Sequence, residues 1–70
     1  MNWKPVFQEL IGQKAVFTVY LRHLQKDTLA KIPNVRVRDV REDHVVLENE
    51  AGIGIVGYED ILYVSMLHKQ

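Results

Sequence analysis

Apolar residues in this chain change their spacing after Gly12, which divides it into a short helical stretch and a long succession of strands. Val6, Phe7, Leu10 and Ile11 recur at the three- and four-residue intervals of one helix face, and Pro5 suits a first helical turn. Asn2 can cap this segment and Gly12 can stop it, so the pattern predicts a helix over residues 3–12. Its apolar stripe is expected to cover an open end of the sheet that follows, with Trp3 as the anchor of that lid.

From Lys14 to Arg22 the period falls to two. Ala15, Phe17, Val19 and Leu21 share one face, and Lys14, Val16, Thr18, Tyr20 and Arg22 the other. The stretch HLQKDTLAKIP loses this alternation and ends at Pro33, which cannot donate to a central ladder. It reads as a longer hairpin connection, mobile near Gln25 to Asp27. Val35 and Val37 then alternate with Arg36 and Arg38 until the phase slips at Val40, as a β-bulge would make it. With Glu42 and Asp43 as a two-residue turn, Val40 faces Val45. One extra residue at Asp39 then sets Arg38 opposite Glu48 and Arg36 opposite Glu50.

Three further strands follow, Val45 to Glu50, Ile53 to Tyr58 and Ile61 to Leu67, separated by Ala51-Gly52 and Glu59-Asp60. Connections this short predict a meander in which each strand pairs with the next. Gly54 and Gly57 fall within the fourth strand, where glycine marks a bend or the close approach of another backbone. The fold expected is all-β: a short N-terminal helix before a five-stranded, strongly bent antiparallel barrel over residues 14–67. The fourth and fifth strands are the most apolar of all. Exposed edges of that kind invite pairing with another chain, so a neighbouring subunit is expected to cover them.

Size and composition sharpen this picture. Seventy residues, 47% of them hydrophobic, make a single domain across 1–70. A chain so small gains little net stability from its core, and without cysteine it has no disulfide to add, which points to a homo-oligomer. Nine basic and nine acidic side chains cancel. A general polyanion binder carries a basic excess, so any nucleic-acid contact here has to be local. No apolar run reaches the ~18 residues needed to span a bilayer, and no secretory signal is seen, which predicts a cytoplasmic protein with no membrane partner.

Several strings resemble the Sm-like (LSm/Hfq-like) family of small β-barrels, a variant of the SH3-like class. ELIGQKAVFTVYL resembles the family's opening, a helix running through glycine into a strand of alternating aliphatics. DHVVLEN is similar to the core of the first Sm motif, and YEDILYV to the closing strand of the second, with Ile61, Leu62, Tyr63 and Val64 at its aliphatic and aromatic positions. The likeness is greatest to short, uncharacterised bacterial Sm-like proteins and spans nearly the whole chain. It implies a ring in which the fourth strand of one subunit pairs with the fifth of the next, here through Val56, Ile61, Leu62, Tyr63 and Val64. It also implies RNA as a ligand near the pore.

The residues that read RNA in that family are replaced. Val40 and His44 stand where Sm proteins carry the aspartate and asparagine that recognise uridine, and Gly57 and Tyr58 where the second motif has arginine and glycine. Against the Hfq stretch of tyrosine, lysine and histidine, this chain has Gly57, Tyr58 and Glu59. The remaining candidates for RNA contact are Arg41, His44 and Tyr58, a cation, an imidazole and a stacking ring. A quieter reading pairs Arg41 with Glu42 or Asp43 and leaves His44 half exposed. Tyr20 and Tyr63 are expected at a subunit seam. His23, His44 and His68 lack metal-binding spacing, and Ser65 has no nearby base. No metal, cofactor or enzymatic activity is therefore expected. The chain reads as a binding module, RNA-binding or purely structural.

Overall fold

The computed structural model describes residues 2–66, apart from the side chain of Gln25. Helix α1 (Lys4–Gln13) precedes five strands, β1 (Phe17–Gln25), β2 (Thr28–Val40), β3 (His44–Asn49), β4 (Gly52–Gly57) and β5 (Ile61–Met66). The expected end of the last strand at Leu67, and His68, lie outside the described residues. All strand pairs are antiparallel, and they form one sheet in the order β4-β3-β2-β1-β5.

That order corrects the expected meander at its last step, because β5 pairs with β1 and not with β4. A single 3-10 turn, Tyr58–Asp60, carries the chain from one end of the sheet to the other. In a flat sheet those ends would lie four strand spacings apart, about 19 Å. The four backbone steps from Gly57 to Ile61 reach at most about 14 Å when fully extended. The sheet is therefore strongly curled. It does not close as the expected barrel would, since no ladder joins β4 to β5 among the described residues.

Two irregularities in β2 produce much of this curvature. Phe17 pairs with Val35 and Val19 with Ile32, so one residue more is accommodated on β2 than on β1, at Pro33–Asn34. Pro33 has no N–H to leave unpaired, Asn34 takes a left-handed φ of 53°, and Asn49 Nδ2 donates to the Pro33 carbonyl at 3.1 Å. Beyond Val35, β2 leaves β1 and from Arg36 onward pairs with β3. The second bulge lies where the phase slip predicts it, displaced by one residue. Arg36 faces Glu48, Val37 faces Leu47, Asp39 faces Val46, and Arg38, rather than Asp39, is the extra residue. Arg36 thus stands opposite Glu48 and not Glu50. Arg38 Nη1 still reaches Glu48 Oε2, at 3.1 Å.

The expected hairpin between the first two strands is present, but its connection is short: β1 and β2 continue through most of the segment, with a register shift between Tyr20 and Leu24. Gln25 pairs with Thr28, and Lys26 and Asp27 make the turn with φ of 52° and 66°. Two positive-φ residues match the twist of the flanking strands. The far end of this hairpin projects past the core, with Leu24 70% exposed, so burial never imposed an alternating pattern there.

The core comprises Trp3, Phe7, Leu10, Phe17, Val19, Val35, Val45, Leu47, Val56 and Ile61. Alternation in the first strand predicted Phe17 and Val19 correctly. Helix α1 lies against β2 and β3 as the expected lid, with Trp3 and Phe7 inserted and Ile11 turned outward. Phe7 is fully buried, its ring 6.0 Å from those of Trp3 and Tyr58 and 5.9 Å from that of Phe17. Asn2 Oδ1 accepts from the Lys4 backbone N–H at 3.2 Å. The helix runs past Gly12 to Gln13 and is capped by Lys14, whose N–H donates to the Ile11 carbonyl at 3.3 Å and whose left-handed φ of 53° brings the Ala15 N–H to the Leu10 carbonyl at 3.3 Å.

Candidate functional site

The three residues singled out for RNA contact meet at one junction. Arg41 and His44 flank the Glu42–Asp43 bend, and the Arg41 N–H donates to the His44 carbonyl at 2.9 Å. His44 pairs with Gly57 at the end of β4, which places Tyr58 immediately beside the bend. The Tyr58 N–H donates to the Asp43 carbonyl at 3.1 Å, and its hydroxyl donates to the Arg41 carbonyl at 2.6 Å. Its ring lies nearly parallel to that of Phe7, at 13°. Lys4 at the start of α1 forms an ion pair with Glu42 across the same junction. Helix, hairpin and 3-10 turn are therefore tied together through Tyr58.

Each candidate's polar group is already engaged. Arg41 Nε donates to Asp39 Oδ2 at 2.7 Å, so its carboxylate partner is Asp39 and not Glu42 or Asp43. His44 Nδ1 lies 2.7 Å from Asp43 Oδ1, and the imidazole is half-buried. The hydrogen bond with His44, and then its charge, hold the Asp43 carboxyl below the ordinary value. Desolvation pushes the Tyr58 phenol above its ordinary value. On the adjoining surface the Glu59 carbonyl accepts from Arg22 Nε at 3.1 Å, and Asp60 Oδ1 lies 3.4 Å from His23 Nε2. Asp39, Glu42, Asp43, Glu59 and Asp60 thus border the site with more carboxylates than Lys4, Arg22 and Arg41 supply cations. Such a surface attracts phosphate weakly.

The residues expected at an oligomer interface divide by depth. Val56 and Ile61 are buried in the protomer's own core, so their side chains cannot reach a neighbour, and Val64 is half-buried. Leu62 and Tyr63 are exposed. Tyr63 stacks on Tyr20 of its own chain, with ring centroids 4.4 Å apart, across a directly opposed strand pair. Sequence reasoning missed Ile53 and Ile55 of β4, which stand opposite Glu48 and Val46 and are 60% and 71% exposed. Their alternation with glycine was the available signal: Gly54 leaves the inner face empty and puts both isoleucines outside. No atom lies within 4 Å of a Cβ built at Gly54, so the close backbone approach expected there does not occur.

No protein-family model, curated protein or solved structure matches this chain.

Proposed function

We propose that this protein is a non-catalytic, self-associating binding module of the Sm-like type, in which β4 of one copy pairs with β5 of another. A single observation carries this reading: among the described residues the two ends of the sheet are unpaired, and their strands carry no charged side chain. β4 reads GIGIVG and β5 reads ILYVSM, six residues each. Monomeric proteins guard such edges with lysine, proline or a covering element, and neither strand has one. Ile53, Ile55, Leu62, Tyr63 and Met66 are exposed along these two strands. Fully burying one aliphatic side chain of this size contributes roughly 1.5 to 3 kcal/mol, so several together can offset the entropy lost on association. The helix leading into five strands, with a bulged second strand, agrees with the layout that the family resemblance implies.

The charge pattern favours assembly without nucleic-acid affinity. A second reading, in which the assembled copies hold single-stranded RNA, draws on one observation, the convergence of Arg41, His44 and Tyr58 at a single junction. Light scattering at tens of micromolar tests the assembly, and a monomer there refutes it. Titration of oligouridine and oligoadenine at increasing salt separates the two readings. The assembly reading expects no binding at micromolar protein. Tight binding that weakens steeply with salt and is lost in Arg41→Glu would establish the RNA reading.

A further inference from the structure

The inner face of the sheet lacks a side chain at one end and leaves one exposed at the other. Gly54 stands opposite Leu47, and directly opposed residues share a face, so it occupies a core-facing position to which β4 brings no side chain. A hollow of about 230 Å³ lies there, bounded by Ile32, Val35, Leu47, Gly52, Ile53 and Gly54. Backbone geometry does not demand glycine at position 54, since its φ lies outside the left-handed region and a Cβ would have open space. Gly52 differs, because its φ of 140° suits glycine alone. The hollow borders the β4 edge, with which no strand pairs among the described residues.

At the opposite end, Met66 pairs with the buried Phe17 and shares its core-facing side, yet is 46% exposed. One end thus carries an inner-face hole and the other an exposed inner-face side chain. The polar side chains at the hollow are already engaged. Asn49 donates its amide to the Pro33 carbonyl at 3.1 Å and accepts from the Ala51 N–H at 2.9 Å, and Glu48 pairs with Arg38. What remains is the backbone edge of β4, which suits a strand of a second copy.

We propose that the hollow beside Gly54 receives Met66 of a second copy of this chain, locking the copies head to tail. This rests on the β4-to-β5 pairing argued above and adds the side-chain lock that sets its direction. Methionine is unbranched and polarizable, which suits an irregular apolar gap. Each copy offers one hole and one knob, so the contact is heterologous and propagates until a ring closes.

Gly54→Val and Met66→Ala test the lock by sedimentation velocity, with circular-dichroism melting of dilute protein as the folding control. Both variants stay folded, and Gly54→Val melts no lower than wild type, because a β-branched residue replaces glycine in a strand. If it does melt lower, Gly54→Ala, a smaller filling of the same hollow, takes its place. Each variant raises the self-association Kd at least tenfold. Mixed in equal amounts they form a 1:1 complex, since Gly54→Val retains an intact β5 end and Met66→Ala an intact β4 end. A filled-hollow variant that assembles like wild type, or a mixture that stays monomeric, overturns the lock while leaving the pairing of β4 and β5 standing. A wild-type protein that is itself monomeric overturns both.

Discussion

Tyr58 is the residue on which most of the architecture converges. Its ring packs on Phe7 of the helix, its hydroxyl is held by the Arg41 carbonyl, and its N–H is held by the Asp43 carbonyl. Burial raises its phenol above the ordinary 10.0, so the fold favours the protonated form. The resulting stabilisation is complete below pH 10 and is lost as pH rises through the higher folded-state value. Tyr58→Phe keeps the ring and removes the hydroxyl, and should cost about 0.5 to 1.5 kcal/mol near neutral pH. Thermal melts of the two proteins should draw together above pH 10, and the variant should lose the late-ionising phenol from the absorbance change at 295 nm. Tyr58 was legible in the sequence as the last residue of the fourth strand and a candidate stacking ring, whereas it opens the 3-10 turn. Its role as the joint between three elements was not, because its partners are backbone atoms brought close by folding.

Among the elements, helix α1 and the β1–β2 hairpin show opposite relations to their sequence. The helix was legible because its buried face repeats at helical spacing and its lid position buries Phe7 completely. Phe7→Ala should cost about 3 to 5 kcal/mol, close to the whole stability of about 4 to 10 kcal/mol expected for a chain this long. Melting should therefore fall by 15 °C or more, or the far-ultraviolet spectrum should be that of an unfolded chain. The hairpin was read with too long a connection because its strands lose alternation before Pro33, and its two-residue turn, Lys26-Asp27, has neither the glycine nor the asparagine usual at positive φ. That strain is removable. The double change Lys26→Asn and Asp27→Gly should raise Tm by about 4 to 8 °C for each kcal/mol relieved, read by calorimetry. No change in Tm would show that the left-handed turn costs little here.

For the whole molecule, the deciding feature is a sheet that curls far enough for three residues to connect its ends yet, among the described residues, leaves both ends unpaired. Open apolar ends in a protein with no net charge are a liability for solubility unless something covers them. Ile55 projects outward from one of these ends and is not packed in the core. Ile55→Lys should weaken self-association at least tenfold by sedimentation velocity. It should leave the melting of dilute protein within about 0.5 kcal/mol of wild type, as for surface changes in general. Ile61→Asp gives a different outcome: Ile61 is fully buried, so a carboxylate there should unfold the protomer rather than separate intact copies. Persistent oligomers of Ile55→Lys would place the interface away from β4.

Alternation and turn chemistry alone determined the helix, the all-β class, the two-residue bend at Glu42–Asp43, the slip in β2 and the inward row of β1. These features are local, or they repeat with the period that burial imposes on a strand half-covered by a core. Only the tertiary structure decided that β5 pairs with β1, that Arg38 is the bulged residue, that Val56 and Ile61 face inward, and that Arg41 is held by Asp39. Strand order and register depend on which backbone edges meet after the sheet curls, and distant residues select among registers that a one-dimensional pattern leaves equal. The same holds for the hollow beside Gly54, which exists because Leu47, Val35 and Ile32 reach one place from two strands while glycine brings nothing to it.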